Sequence, residues 1–277
     1  MPELPEVETI KRGLLPHIKN TVIKNIIIRQ PALRWPVPSI LKTALPNSKI
    51  TDITRRGKYL LFKIKNTDSN NNLLVIHLGM SGSLRVVDPD IPLKKHDHVD
   101  IILDNNKILR YHDPRRFGAI LWIENGSVDN HIRFKDLGPE PLTDNLTGEY
   151  LFNKAKNKKL PIKNFIMTNS NVVGVGNIYA TEALFYAKIN PLKSVDLITL
   201  KEWNKLVLEI KKVLEKAIEC GGTTLKDFMH SDGKPGYFKQ QLAAYGRADK
   251  PCIKCHNALS TIRQQGRATV YCEHCQK

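Results

Sequence analysis

Five cysteines in 277 residues are too few to staple a secreted scaffold with disulfides. No stretch is apolar for long enough to read as a membrane span or a secretory leader, and no lipidation signal is present. Internal repeats are also missing, so a repeat architecture drops out. Acidic residues are the scarcer charge: 27 Asp+Glu face 43 Lys+Arg, giving a net charge of +16 and a pI near 9.6. A field of that sign favours nucleic acid or an anionic membrane surface. With no membrane signal, the expected partner is nucleic acid, and the expected compartment is a reducing cytosol in which thiols stay free. The length allows two domains plus a small metal module.

What is present begins with the cysteines. Cys252-x2-Cys255 and Cys272-x2-Cys275 are separated by 16 residues, the spacing of a zinc ribbon. Four thiolates so placed make a closed tetrahedral site, structural rather than catalytic. Two disulfides are the competing reading, disfavoured in a reducing compartment. The fifth cysteine, Cys220, is expected to be a buried small residue at a helix end rather than a ligand.

At the other end stands Met1-Pro2-Glu3-Leu4-Pro5-Glu6-Val7-Glu8. Once Met1 is removed, Pro2 is a free secondary amine with the carboxylates of Glu3 and Glu6 nearby. An α-amino group titrates near pH ~8, so a useful neutral fraction exists at physiological pH. Such an amine can attack an electrophilic carbon and form a Schiff base. The bland reading is an ordinary acidic, proline-rich helix start.

Pro5 to about Leu15 reads as that first helix, stopped by Pro16. Short β-rich runs follow at Val22–Arg29, Lys49–Thr54, Tyr59–Lys65, Leu73–Leu78, Leu84–Val87, Val99–Leu103, Lys107–Tyr111 and Gly118–Ile123. Bounded by Gly, Pro, Asn and Asp, they predict an antiparallel sandwich. Asn66 to Asn72 reads as a polar loop. The composition changes near Leu137-Gly138-Pro139-Glu140-Pro141, a candidate domain junction, and turns helical beyond it. The clearest helix is Leu200 to Glu219, with an apolar stripe from Trp203 to Ala217, capping-box spacing at Thr199 and Glu202, and Gly221-Gly222 to end it.

Several constellations carry chemistry. Val173-Gly174-Val175-Gly176-Asn177 precedes a helical pattern over 178–187, and a helix N-terminus with glycines offers N–H groups to a phosphate. Tyr179 stands where a dinucleotide fingerprint needs its third glycine. Lys154, Lys156, Lys158, Lys159 and Lys163 precede this turn and suit DNA phosphate; the alternative is lysines on a solvated face. Asp113-Pro114-Arg115-Arg116-Phe117-Gly118 puts arginine and an aromatic ring on a turn, the composition of a wedge that enters a base stack. Met80, between glycines on another turn, suits the hole left by an extruded base. The alternative is that Met80 and Phe117 are core residues. Lys58 opens a strand and suits phosphate contact or acid catalysis. His96 and His98 alternate on a strand edge and share a face; a metal site lacks a third ligand, so His96 reads as a phosphate contact. His77 and His112 read as structural histidines. Arg263 to Arg267 reads as a hairpin tip that projects Arg267.

In order along the chain, these segments resemble the bacterial formamidopyrimidine-DNA glycosylases, base-excision repair enzymes for oxidised purines. The resemblance runs through MPELPEVET (1–9), RRGKYLL (55–61), HLGMSGSLR (77–85), KHDHVD (95–100), RYHDPRRFGA (110–119), LGPEPL (137–142), VVGVGNIYA (172–180), GGTTLKDF (221–228), SDGKPGYF (231–238) and the cysteine frame. His112 and the 66–72 loop are the departures.

The resemblance implies an α+β fold: an N-terminal β-sandwich domain with a long first helix over 1–136, a helix-two-turn-helix DNA-binding domain over 137–240, and a β-hairpin zinc finger over 241–277. It implies that Pro2 is the nucleophile, Glu3 the proton donor, and Glu6 part of the damaged-base environment. Lys58 is implied to do acid/base and phosphate work. Met80, Arg115 and Phe117 are implied to fill and wedge the gap left by the flipped nucleotide. Asn177, Arg267, His96 and Lys158 match DNA contacts, and Arg267 is also linked with the later elimination. One structural Zn2+ on Cys252, Cys255, Cys272 and Cys275 is the implied cofactor. The implied partner is double-stranded DNA with oxidised purines or abasic sites, bound by a monomer in the bacterial cytoplasm, associated with the nucleoid through DNA. Two alternatives stand beside this reading. One is an endonuclease VIII-like glycosylase for oxidised pyrimidines, against which Leu4 and the Met80, Arg115 and Phe117 set argue. The other is a non-catalytic zinc-dependent DNA-binding protein, which would tolerate loss of Pro2 and Glu3.

Overall fold

Helix α1 (Leu4–Ile18) starts at a reciprocal capping box between Glu3 and Glu6, with proline in its first turn. The box satisfies backbone N–H groups that the helix geometry leaves without partners. Pro16 does not stop the helix as expected; α1 runs on to Ile18. A proline this close to the C-terminus removes one hydrogen bond, to Arg12, and the burial of Ile18 offsets that loss. The computed structural model describes residues 2–66, 71–128, 130–223 and 241–277. Met1, most of the 66–72 loop, most of the 221–228 motif and all of the 231–238 motif therefore lie outside the described residues.

The chain divides into two units, one formed by residues 1–135 with 221–236, the other by 136–220 with 237–277. In the first unit, β1 (Ile23–Ile28), the short α2 (Leu41–Ala44), β2 (Lys49–Arg56), β3 (Tyr59–Lys65), β4 (Asn71–His77), β5 (Ser83–Val87), β6 (Asp97–Leu103), β7 (Ile108–His112) and β8 (Ala119–Ile123) follow α1. They build two four-stranded sheets, ordered β1-β6-β7-β5 and β2-β3-β4-β8, with every pairing antiparallel. The register slips between Ile23 and Asn25 in β1 and between Ile50 and Asp52 in β2.

Alternation decides what is buried. Leu60, Phe62 and Ile64 from β3 share one core with Val99 and Ile101 from β6 and with Val7, Ile10, Leu14 and Ile18 from α1. Strand β4 begins two residues earlier than its apolar run, because Asn71 and Asn72 pair with Lys65 and Ile64 and so continue the ladder.

The second unit holds α3 (Gly148–Ala155), α4 (Ile162–Ile166), α5 (Asn177–Ala187), α6 (Leu200–Glu219) and the hairpin β9 (Ser260–Gln264) and β10 (Arg267–Tyr271). Helix α6 has the expected bounds and capping box, and its stripe from Trp203 to Ala217 is buried. Truncating Leu206 or Ile210 there to alanine would cost about 2–5 kcal/mol. Cys220 caps α6 but is only half-buried, and its Sγ accepts a 3.4 Å hydrogen bond from Gln241 Nε2. It sits where the helix runs out, not inside the core.

Glu182, on α5, is buried, and its carboxylate accepts backbone N–H bonds from Ala243, Ala244 and Tyr245 at 2.8–2.9 Å. Burial pushes its carboxyl up despite those donors. Next to it, Phe185 packs with Ala243, Ala244, Leu259, Val270 and two of the cysteines. The helical part and the hairpin of this unit thus share a small core. Among the described residues, no helix is long and apolar enough to cross a membrane.

Candidate catalytic and nucleic-acid-binding site

Pro2, Glu3 and Glu6 are all buried at the start of α1. Glu6 Oε2 accepts the Glu3 N–H at 2.9 Å. Its Oε1 accepts from the Thr223 N–H at 2.9 Å and the Thr223 hydroxyl at 2.7 Å. Both oxygens of Glu6 are thereby committed to donors, which holds the carboxylate in one orientation at the start of α1. Thr223, in the GGTTLKDF motif, had no role in the sequence reading; only the fold shows it meeting Glu6.

Two residues further along α1, Glu8 collects Lys11 at 2.8 Å, Arg12 at 3.0 Å and Arg55 at 3.0 Å. Burial alone would raise the Glu8 carboxyl, but these three cations pull it below the usual range. Arg55 also donates to the Gly57 carbonyl at 3.0 Å. The helix that carries the N-terminus is thereby tied to the two-residue β2–β3 turn that carries Lys58.

Lys58 acts on a histidine. His77 ends β4, its ring 4.7 Å from that of Tyr59, and its Nδ1 accepts the Gly79 N–H at 3.1 Å. Burial, then the charges of Lys58 and Arg34, push its pKa down to about 4. A neutral ring fits the acceptor role of Nδ1, so the structural reading of His77 agrees with its surroundings.

Met80 and Phe117 are 39% and 45% exposed, so the core alternative fails for both. The Arg115 guanidinium lies 4.7 Å from the Phe117 ring centroid. With Leu33, Arg34, His77 and Arg116, these three line a cavity of about 770 Å³. The two turns that present them are interlocked. A Cβ on Gly79 would collide with the Phe117 carbonyl carbon and Gly118 N, and one on Gly118 would collide with the Tyr111 hydroxyl. Asp113, fully buried, accepts from Ser81 Oγ at 2.7 Å, Tyr111 OH at 3.1 Å and the Gly118 N–H at 2.9 Å. Burial, and Asp113 beside it, push the Tyr111 phenol up, so it stays a donor.

The rings of His96 and His98 stand 6.1 Å apart, edge to face, so the two stay neighbours as expected, but they differ in burial. His96 is half-buried just ahead of β6, while His98 is buried with Nε2 2.8 Å from the Asp113 carbonyl. The ladder slips between Asp97 and Val99, which breaks the simple alternation, and β6 lies inside its sheet rather than at the edge. His112 sits close to Asp97 and His96: its Nδ1 is 2.8 Å from Asp97 Oδ1 and its ring 5.9 Å from that of His96. Burial holds the His112 pKa down against the pull of Asp97. Among the described residues only the cysteines form a group that can hold a metal.

In the second unit, Gly176 caps α5 and Asn177 opens it. Lys163 is not on a solvated face. It is 1% exposed, and its Nζ donates to Asn177 Oδ1 at 2.7 Å, Thr269 Oγ1 at 2.7 Å and the Ala268 carbonyl at 3.4 Å. Asn177 Nδ2 donates to the same carbonyl at 3.2 Å. One lysine therefore joins the start of α5 to β10, right beside Arg267. Lys158 is half-buried, with Nζ 5.4 Å from the Phe165 ring. Arg267 is exposed and pairs with Gln264 across a two-residue turn, with Gln265 at φ 48° and Gly266 at φ 75°. Positive φ at both turn positions is the hairpin geometry that matches strand twist.

The sulfurs of Cys252, Cys255, Cys272 and Cys275 lie within 4.8 Å of one another. Two of the separations are 4.0 and 3.4 Å. A tetrahedron with Zn–S bonds of about 2.3 Å has edges near ~3.8 Å, whereas a disulfide needs ~2.05 Å. The protons resist so close a packing: Asn257 N–H groups pull the Cys255 thiol down to about 6, while burial and the neighbouring sulfurs push Cys275 up to about 12. A divalent cation is the group that lets all four be thiolates at once. One structural zinc fits this donor set.

A β-sandwich, a helical unit and a four-thiolate hairpin, on a chain of net charge +16, define the class of zinc-ribbon nucleic-acid proteins. Family models place it further. Residues 1–120 match the formamidopyrimidine-DNA glycosylase N-terminal domain, 137–229 the H2TH domain of the same enzymes, and 249–277 the zinc finger found in FPG and IleRS. The formamidopyrimidine-DNA glycosylase of Alcanivorax borkumensis is 50% identical, covering 100% of both chains. The solved complex of wild-type Lactococcus lactis Fpg (MutM) with an N7-benzyl-Fapy-dG DNA is 33% identical, with a TM-score of 0.90 and 100% of both chains covered. A MutM structure with carbocyclic 8-oxo-G DNA gives the same identity, TM-score and coverage. The chain belongs to the formamidopyrimidine-DNA glycosylase family and is a glycosylase enzyme.

Proposed function

We propose that this glycosylase excises oxidised purines, formamidopyrimidines and 8-oxoguanine, from duplex DNA with Pro2 as nucleophile, and then cleaves the strand as an abasic-site lyase. The Pro2 amine attacks C1′ with its lone pair. The C1′–N9 bond breaks toward the base, which takes up a proton, and Glu3 protonates the ring oxygen as the sugar opens. The resulting iminium is an electron sink. It acidifies C2′, loss of that proton expels the 3′ phosphate, and a second elimination expels the 5′ phosphate.

Lys58 serves acid/base and phosphate work here. Met80, Arg115 and Phe117 occupy and wedge the space that the extruded nucleotide leaves, which lowers the cost of flipping. Asn177, Lys158, His96 and Arg267 contact phosphates, and Arg267 assists the second elimination. The zinc, on its four thiolates, stiffens the hairpin base and takes no part in the bond changes. The functional segments are 1–136, 137–240 and 241–277. The protein works as a monomer in the bacterial cytoplasm, on the nucleoid.

The observation that carries this reading is the fixed pair of acids beside Pro2. Glu6 is held by the Glu3 and Thr223 donors, which supports a place in the pocket wall, and proton delivery is the role proposed for Glu3. The test is borohydride trapping of Met1-processed protein on an 8-oxoguanine:cytosine duplex. A covalent adduct mapped to Pro2, absent on undamaged DNA, is expected. No adduct, with N-terminal processing and zinc verified by mass, would overturn it, and trapping on oxidised pyrimidines alone would move the protein to the endonuclease VIII-like alternative.

A further inference from the structure

We propose that the buried Asp113 carboxylate is the positioning residue that presents Met80, Arg115 and Phe117 as one preformed wedge. The inference rests on the wedge reading above and adds what makes the wedge stiff.

Three side chains that must enter a base stack together sit on two separate turns, after β4 and after β7. Left to themselves, such turns sample many conformations, and each flipping event would have to order them. Asp113 removes that freedom. Oδ1 accepts from Ser81 Oγ at 2.7 Å, on the Met80 turn. It also accepts the Arg115 N–H at 3.3 Å, and that same N–H reaches Ser81 Oγ at 3.2 Å. Oδ2 accepts the Gly118 N–H at 2.9 Å and the Tyr111 hydroxyl at 3.1 Å. One carboxylate therefore holds the residue after Met80, Arg115 itself, and the residue after Phe117.

The backbone of Asp113 is held as firmly as its side chain. Its N–H donates to the His96 carbonyl at 3.1 Å. Its own carbonyl lies 2.8 Å from His98 Nε2 and accepts the Arg116 N–H at 3.2 Å.

Two further observations agree. Arg116, between the two wedge residues, has φ 55°; a bulky residue keeps a left-handed backbone only where its surroundings impose it. Gly79 and Gly118 pack backbone to backbone with no room for a Cβ. The tips point the other way: Met80, Arg115 and Phe117 are exposed. A rigid root with exposed tips is the build of a probe whose ordering precedes DNA contact.

The experiment measures single-turnover base excision on an 8-oxoguanine:cytosine duplex and strand cleavage on an abasic-site duplex, which has no base to extrude. The variants are Asp113→Asn, Phe117→Ala and the double mutant. Asp113→Asn keeps the shape but turns one acceptor oxygen into a donor facing other donors. It is expected to slow excision roughly tenfold to hundredfold, the scale at which ångström misplacement acts, with less than about a twofold change on abasic DNA. In the Phe117→Ala background it is expected to add less than about twofold, because its effect runs through the wedge. Ser81→Ala and Tyr111→Phe, each removing one donor, give graded smaller losses and keep the test available should Asp113→Asn fold poorly.

Equal slowing on both substrates, or full additivity with Phe117→Ala, would overturn the proposal and leave Asp113 a general structural residue. Phe117→Ala with unchanged excision would instead overturn the wedge reading itself.

Discussion

Replacing Lys163 with methionine should loosen the second unit and weaken DNA binding together. The side chain is 1% exposed, so methionine keeps most of its apolar packing and loses the ammonium. Two hydrogen bonds at 2.7 Å disappear, to Asn177 Oδ1 and Thr269 Oγ1. A hydrogen bond to a charged group contributes about 1.5–3 kcal/mol, and a buried acceptor left without its donor adds a further cost. Against this, the buried ammonium no longer has to be desolvated. The balance is a loss of about 3 kcal/mol. For a unit of this size that corresponds to about 10 °C in Tm, at roughly 3–4 °C per kcal/mol. Asn177 and the Ala268 carbonyl beside Arg267 lose their common partner, so affinity for duplex DNA should fall about tenfold whether or not a lesion is present. Calorimetry and a binding titration at fixed salt read both. A variant within about 2 °C of the parent and with the same affinity would refute the reasoning, showing that Asn177 and β10 keep their places without the lysine.

Three further outcomes are expected. Stripping the zinc with a chelator should unfold the hairpin and abolish tight DNA binding, with recovery on adding Zn2+; full binding after metal loss proven by mass would contradict a structural role. Arg267→Ala should lower affinity for any sequence and reduce the slope of log K against log salt by about one phosphate contact, while an unchanged slope would take Arg267 out of the interface. His77 takes up its proton only near pH 4 in the fold but near ~6.5 in the unfolded chain. Its neutral form therefore supports the fold above about pH 6.5, and that support is lost as pH falls toward 4. His77→Gln should flatten the part of the pH–Tm curve between those values, and a curve as steep as the parent's would deny His77 that share.

Legibility in the sequence followed the range of the interactions. Helix α6 could be read to the residue because its stripe, its Thr199 box and its terminal glycines are all local. The cysteine frame was readable because two short spacings state a tetrahedral ligand set. Pro2, Glu3 and Glu6 are neighbours in the chain and were visible as such. Asp113 was not, because its partners lie at 81, 111, 115 and 118 and only the sheet pairing brings the first of them near. Lys163 was taken with the other lysines of its run, since nothing in a run of like charges says which one turns inward; its acceptor Thr269 lies 106 residues away. The ladder slip between Asp97 and Val99 has no signature in the alternation it interrupts.

The two sheets have one more consequence. An open four-stranded sheet ends in unpaired N–H and C=O groups, and a cationic protein gathered along DNA meets its own copies at high local density. Edge-to-edge pairing between copies would then compete with repair. Each of the four edges carries a deterrent. Strands β1 and β2 both slip register near their starts, and β2 adds Lys49, Asp52, Arg55 and Arg56. Strands β5 and β8 are five residues each, too short to template a long ladder. The same irregularities that spoil a tidy sheet keep crowded neighbours apart.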